Sequence, residues 1–341
     1  MASVVMADDG IAFDGATAEV GPLGGAETAF VALAEALAAR GHEVEARSNC
    51  AAPVQHNGVN WAPLAGGVPE TCDLYIGNRS YRVMGLSRPR RRLFWLHNPG
   101  QYLRKPRNAW RLAWYRPLVV TTSLYHSSTV PAWLPDGGRA VIPYGMLDRF
   151  RHAEPREPPP PVAVFTSNPL RGLDWLLDLW VGRIRPEVPQ AELHIYSGTA
   201  VYGGGGRHGS AINDVLARAE ALAGQGVRRF APIGREALIE VLMGARAMLY
   251  RGDVGETFCL SLGEAQALGV PAVVTPLGSV GERVVGGVTG RVAESDDAFV
   301  EAAVAVLRDD ALWRQWHAAA LAQQRGLSWD EVAARYEALI R

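Results

Sequence analysis

The stretch that decides how this chain reads is Gly255-Glu-Thr-Phe-Cys-Leu-Ser-Leu-Gly-Glu-Ala-Gln-Ala-Leu-Gly-Val-Pro-Ala-Val-Val274. The apolar run before it, Ala247–Tyr250, and the run that closes it, Ala272–Thr275, have the length of buried strands. Ser261–Leu268 between them reads as a helix. Strand, helix, strand is the repeating piece of a parallel sheet. Glu256 falls in the loop and Glu264 about one turn into the helix. Between them the amides of Phe258, Cys259 and Leu260 form a helix N-terminus, a ready site for a phosphate. Carboxylates suit vicinal hydroxyls, because each oxygen accepts hydrogen bonds. A ligand with a diphosphate between two sugars fits that layout. The plainer alternative is that both glutamates are acids favoured by the helix dipole.

The same alternation runs outward in both directions. Toward the N-terminus, strands are expected at Val4–Ala7, Glu43–Ala46, Asp73–Ile76, Leu93–Leu96, Leu118–Thr122 and Ala140–Pro143, with a helix over Ala26–Arg40. The pattern breaks at residues 151–161, His-Ala-Glu-Pro-Arg-Glu-Pro-Pro-Pro-Pro-Pro, which reads as a stiff linker. Beyond it, strands are expected at Val162–Thr166, Glu192–Tyr196 and Arg228–Phe230. Helices are expected at Gly172–Val181, Ile212–Ala223 and Glu236–Met243, and the C-terminus is helical through Ala298–Leu307, Leu312–Gln324 and Trp329–Ile340. The expected organisation is α/β: a Rossmann-like domain over 1–150, the linker 151–161, a second Rossmann-like domain over 162–325, and a C-terminal helix over 326–341 packing back on the first domain. Two such domains would face a central cleft, with ligand at the carboxyl ends of the strands.

Composition narrows the function classes. The 341 residues are 48% hydrophobic and 20% charged, which excludes a disordered chain. Net charge is −1, which argues against a globally basic nucleic-acid coat. Three scattered cysteines, Cys50, Cys72 and Cys259, make neither a disulfide framework nor a zinc site, so a reduced cytoplasmic setting is expected. The first nine residues carry no cationic region and two aspartates, unlike a secretory signal. Nothing approaches the length of an apolar membrane span.

The decisive stretch resembles the E-x7-E element of retaining glycosyltransferases of the GT-B fold, family 4 (group 1) in particular. Val284-Val-Gly-Gly-Val-Thr-Gly290, Ser328-Trp329, Val141-Ile-Pro-Tyr-Gly145, Gly24-Gly-Ala-Glu-Thr28 and Arg40-Gly-His-Glu-Val44 are similar to further family elements, in the family's order. The resemblance implies a nucleotide-sugar donor as co-substrate, with no metal and no other cofactor. It implies that Glu264 binds the ribose and that Glu256 contacts the donor sugar. Thr257 and the amides of Phe258, Cys259 and Leu260 would meet the sugar and diphosphate. Arg171, in Ser167-Asn-Pro-Leu-Arg-Gly172, stands where the family commonly has a lysine beside the phosphates, and Ser167 and Gly198 would line the same site. The family's further arginine is absent, since Thr166 occupies that position. Only Lys105 among the 34 cations is a lysine, which accounts for an arginine in the slot. In the first domain Gly24 and Gly25 would let the backbone approach the phosphate, unless the pair simply forms a turn. His97 after a strand would contact donor or acceptor, unless it is structural. The implied roles are catalytic for His97, Arg171 and Glu256, in a retaining transfer through an oxocarbenium-like transition state with same-face attack by the acceptor. A GT-B-like epimerase and a non-catalytic sugar-nucleotide binder are the alternatives. A dinucleotide oxidoreductase is disfavoured, because Gly21-Pro-Leu-Gly-Gly25 is not G-x-G-x-x-G.

Charge is unevenly placed. Residues 74–135 contain no Asp or Glu and eleven cations, Arg79, Arg82, Arg88, Arg90, Arg91, Arg92, Arg104, Lys105, Arg107, Arg111 and Arg116. Arg104–Arg116 interleaves them with Trp110, Trp114 and Tyr115, as an interfacial segment does. An anionic lipid surface at the inner face of a membrane, or a lipid-linked acceptor, would fit residues 79–116, as would a solvated basic face. No nucleic-acid motif is present. Gly203–Gly206 lacks the Lys-Ser/Thr ending of a phosphate loop and reads as a mobile loop. Asp296-Asp297 reads as a helix-capping pair.

Overall fold

The structure, a computed structural model, describes residues 1–17, 23–198 and 209–340. The chain divides into two compact units, Met1–Gly145 with Leu327–Arg341, and Met146–Gly326.

The first unit is built on an eight-stranded sheet. Its strands are β1 (Ser3–Ala7), β2 (Glu43–Ser48), β3 (Val54–His56), β4 (Val59–Pro63), β5 (Thr71–Asn78), β6 (Arg88–Trp95), β7 (Leu118–Thr121) and β8 (Arg139–Val141), in the order β3-β4-β2-β1-β5-β6-β7-β8. All neighbours are parallel except β3 and β4, which form a hairpin. Val4 pairs Leu74 and Ile76 pairs Leu93, so the central strands stack branched side chains that are fully buried. Each such side chain contributes about 1.5–3 kcal/mol of burial. Between β1 and β5 the strand order reverses. In open α/β sheets the ligand crevice lies at such a switch point, outside the carboxyl ends of the strands.

The helix Trp329–Glu337 also belongs to this unit. Ser328 caps it, with Glu331 completing a capping box. Its Tyr336 is fully buried with its ring 5.6 Å from that of Trp95, and Arg40 binds both Asp330 and Glu337.

After the two-residue strand β9 (Gly145–Met146), the second unit carries β10 (Val162–Phe165), β11 (Glu192–Tyr196), β12 (Val227–Phe230), β13 (Ala247–Tyr250), β14 (Ala272–Val274) and β15 (Gly290–Val292). The order is β12-β11-β10-β13-β14-β15, parallel throughout, the doubly wound arrangement with its switch point between β10 and β13.

The proline run is not a free linker. The division falls at Gly145, and residues 151–161 pack into the second unit. The Arg156 amide donates to His317 Nε2 at 3.1 Å, and the Arg156 guanidinium donates to the Leu268 carbonyl at 2.7 Å. Arg246 donates to the Pro159 carbonyl and Arg325 to that of Ala153. Prolines donate nothing, and arginines of this unit take up carbonyls along the segment. The helix at Asp296–Arg308 is capped by Ser295, whose hydroxyl accepts from the Ala298 amide. Asp296 and Asp297 sit in its first turn instead, where they bind Trp175 and Arg183.

Candidate functional site

In the second unit the β10–β13 switch point gathers four residues into a hydrogen-bonded chain. Arg171 follows β10 and pairs with Glu256 at 2.6 Å. Tyr250, the last residue of β13, donates its hydroxyl to the same carboxylate oxygen and lies 3.1 Å from the Ser167 hydroxyl. Burial, with the nearby thiol of Cys259 and the Glu256 carboxylate adding to it, pushes the Tyr250 hydroxyl well up, so it stays a donor. Ser167 is tied to β11 through Ser197, which donates to the Ser167 carbonyl at 2.7 Å. The anion beside Arg171 is thus Glu256, whose side chain is buried.

The loop between the two glutamates is tightly held. Cys259 takes a left-handed conformation (φ 63°, ψ 73°), a strained choice for a side-chain-bearing residue, and strain of this kind collects at functional sites. Helix Leu260–Ala267 starts right after it with no side-chain cap hydrogen bond. Burial pushes the Cys259 thiol up, which keeps it neutral. Gly278 (φ 63°) lies against this loop. A Cβ there would strike the Asp253 carbonyl and come within 2.8 Å of that of Glu256, so only glycine allows the approach. Glu264 is buried and paired with Arg235, the first residue of helix Arg235–Gly244. Burial, with the charge of Arg149, brings Arg235 down to about 10. Thr257 and Phe258 are buried beside Glu256, and Gly198 packs on Pro232. Arg171, Glu256 and Ser167 are therefore brought together, while Glu264 is held by a residue that sequence reading missed. Gly203–Gly206 lies outside the described residues.

The first unit has its own network at the β1–β5 switch point. Asp8, fully buried after β1, accepts two bonds from Arg79, at Nε and Nη2, each 2.9 Å. Arg79 also pairs with Glu27 at 2.7 Å. Burial alone would lower the Arg79 pKa, but the two carboxylates raise it. Glu27 sits in the first turn of helix Gly25–Ala39. A Cβ at Gly24 would collide with its carboxylate, so Gly24 leaves room for this side chain. Asn78 at the end of β5 donates to Asp8 at 2.5 Å. A carboxylate only accepts, so Asn78 Oδ1 is left to face His97 Nε2. His97 therefore carries its proton on Nε2 and accepts at Nδ1 from the Tyr144 hydroxyl. Burial, with Arg79 and His126 adding, holds His97 neutral with its pKa well below the usual value. Asp8, Glu27, Asn78, Arg79 and Tyr144 were missed at the sequence level. Their only signal was position, a polar residue closing each of two apolar runs.

Two cations of the basic segment are turned inward. Arg79 belongs to this network, and Arg92 donates to the Met84 and Ser87 carbonyls while its guanidinium lies 4.7 Å from the Tyr115 ring. Helix Pro106–Tyr115 keeps Trp110 and Trp114 exposed, at 55% and 74%.

Residues 160–309 match the family model Glycosyl transferases group 1. No curated protein matches the chain by sequence. Among solved structures the chain is similar to sucrose-phosphate synthase from Thermosynechococcus elongatus, at 17% identity and TM-score 0.76, over 99% of this chain and 98% of that one. It is also similar to Anabaena HepE, solved with UDP and glucose, at 14% identity and TM-score 0.72 over 99% of both chains. WaaG, a glycosyltransferase of lipopolysaccharide biosynthesis, aligns at 14% identity and TM-score 0.68, again over 99% of both. These likenesses show the GT-B fold of two Rossmann-like domains, and with the family model they support a glycosyltransferase.

Proposed function

We propose that this protein is a retaining glycosyltransferase of the family 4 type, moving a sugar from a nucleotide-diphosphate sugar to an acceptor hydroxyl without a metal. The observation that carries the reading is the Ser167–Tyr250–Glu256–Arg171 chain beside the N-terminus of helix Leu260–Ala267. HepE was solved with UDP-glucose, which favours a nucleotide sugar as donor. In this reading Glu264 holds the ribose hydroxyls and Glu256 the hydroxyls of the donor sugar. Arg171 and the helix amides stabilise charge building on the leaving diphosphate. The acceptor oxygen attacks from the face the diphosphate leaves, and a phosphate oxygen takes its proton, so configuration is retained. His97, fixed and neutral, contributes its imidazole without a charge. The test is a thermal-shift screen over UDP and GDP sugars, repeated with Glu264→Ala, followed by product analysis in EDTA. The expected result is a donor that stabilises the wild type but not the variant, and an anomeric configuration matching the donor. A donor that stabilises both proteins equally removes Glu264 from the ribose site. Release of an epimerised sugar would favour an epimerase, and binding without turnover a sugar-nucleotide binder.

The acceptor side is proposed to be lipid-linked or anionic, met through the basic segment with Trp110 and Trp114 at its surface, on the cytoplasmic face of a membrane. Arg104, Lys105, Arg107 and Arg111 supply charge there while Arg79 and Arg92 do not. Flotation with anionic vesicles tests it, and equal binding to neutral vesicles would refute it. No helix among the described residues is long and apolar enough to cross a membrane.

A further inference from the structure

Residues 231–234 carry the chain from the end of β12 into helix Arg235–Gly244, and with Arg235 they meet the site at two places. Pro232 lies against Gly198, where a Cβ would come within 2.9 Å of the proline ring. Arg235, the first residue of the helix, donates from Nη1 to Glu264 Oε1 on helix Leu260–Ala267. Taken alone, Arg235 is badly placed. A cation in the first turn of a helix opposes the helix dipole. Burial and the charge of Arg149 also work against its proton and bring it down to about 10. Arg149 is itself paired with Glu236, the second residue of the same helix, so two cations and two carboxylates meet here and their charges cancel. The ion pair with Glu264 offsets the poor placement of Arg235. A buried pair nonetheless adds little net stability over apolar side chains of the same volume. What it changes is the state of Glu264. A buried carboxylate beside a guanidinium stays an anion, whereas one stripped of its cation is driven toward the neutral acid.

We propose that Arg235 is the positioning residue of the ribose subsite. Its guanidinium holds Glu264 as an anion and fixes the carboxylate through Oε1, so the vicinal hydroxyls of a ribonucleotide meet an acceptor of set charge and direction. This rests on the glycosyltransferase reading of the same site, with Glu264 as the ribose acceptor. Each carboxylate oxygen has two lone pairs, so one guanidinium bond at Oε1 leaves room for both hydroxyls. A neutral carboxyl gives one oxygen to a proton and donates where it should accept. The consequence is selectivity for ribose over its deoxy forms, set from a neighbouring helix.

The test is calorimetric titration of the full-length protein and its Arg235→Met, Arg235→Gln and Arg235→Lys variants with UDP, GDP and their 2′,3′-dideoxy counterparts. The quantity read is the ratio of dissociation constants, dideoxy over ribo, for the same base. A merely structural arginine would weaken both ligands alike and leave that ratio unmoved. The wild type is expected to favour the ribonucleotide about 10-fold or more, as for hydrogen bonds to a charged group. In Arg235→Met the preference should fall to within about threefold, and Arg235→Lys, which restores the charge, should recover most of it. Arg235→Gln, which still offers Glu264 an N–H, carries the same test if Arg235→Met does not fold. A wild-type ratio in the folded charge-free variants, or no recovery with lysine, overturns the assignment of Arg235 and leaves Glu264 in place. A wild type that binds ribo and dideoxy nucleotides alike overturns the ribose reading of Glu264, and one that binds neither UDP nor GDP overturns the donor-site reading. The assignment of Arg235 falls with either.

Discussion

The two switch points are built alike and finished differently. In the first unit, Asp8, Glu27, Arg79, Asn78, His97 and Tyr144 are joined into one network of ion pairs and hydrogen bonds, and the Gly10 amide also donates to Asp8. In the second, the pairs Arg171–Glu256 and Arg235–Glu264 are made, but Arg283 Nε, the Ser279 hydroxyl and the Thr166 hydroxyl are buried without partners. Buried polar groups are costly when unpaired, so a paired network is what holding a scaffold rigid requires. Open donors beside an uncapped helix N-terminus are what binding an anion requires. The same topology thus carries a heavily paired strand end in one unit and one with orphaned side-chain donors in the other.

The sharpest way to break that comparison is to open the paired network. Asp8→Ala leaves Arg79 with Glu27 as its carboxylate partner and the Asn78 amide nitrogen without the Asp8 acceptor, and is expected to cost about 3–5 kcal/mol in urea unfolding. A loss below about 1 kcal/mol would mean the network is not braced. Next in size is Arg171→Gln in the second unit. Steady-state turnover at saturating donor should fall about 100-fold, as for removal of one charge-stabilising donor. Unchanged turnover would remove Arg171 from charge stabilisation on the leaving group.

A smaller effect is set by pH. Burial lowers His126, in the first unit, to about 4, and puts His97 well below its usual value. Unfolded histidine titrates near 6.5. Between these values the unfolded chain takes up protons that the native state refuses. Stability is therefore full above about pH 6.5 and falls toward pH 4, by up to about 1.4 kcal/mol per pH unit for each histidine. Denaturation midpoints across that window should drop, and His126→Gln should flatten the slope. The smallest change is a gain. Thr166→Val removes an unpaired buried hydroxyl and should stabilise by up to about 1 kcal/mol in the ligand-free protein.

How much of this was legible in the sequence depended on how local the cause was. Glu192–Tyr196 and Ala247–Tyr250 are strands with the bounds their apolar runs suggest. The β3–β4 hairpin was overlooked although its turn is Asn57-Gly58, both at positive φ, which is the pairing such a hairpin asks for. The paired network was out of reach for another reason. Asn78 and Asp8 are 70 residues apart, and nothing local to either says which polar side chain will end opposite it. The basic segment failed in between. Its charges were counted correctly, but counting treats Arg92, lodged over Tyr115, like Arg111 on the helix surface. The glutamates of the decisive stretch were legible, and the arginine that holds Glu264 was not, because Arg235 lies on a different helix.

The return of helix Trp329–Glu337 to the first unit bears on how the chain is made. A ribosome releases residues in order, and domains commonly fold as they emerge, the earlier one first. Here that order is inverted. Every residue of the second unit has been synthesised before Tyr336 exists to cover Trp95, and before Trp329 exists to lie against Tyr144 and Gly145. The half that is made first therefore waits, with an aromatic seam uncovered, for residues made after the whole of the second unit. Its period of vulnerability is set by the translation time of the other half.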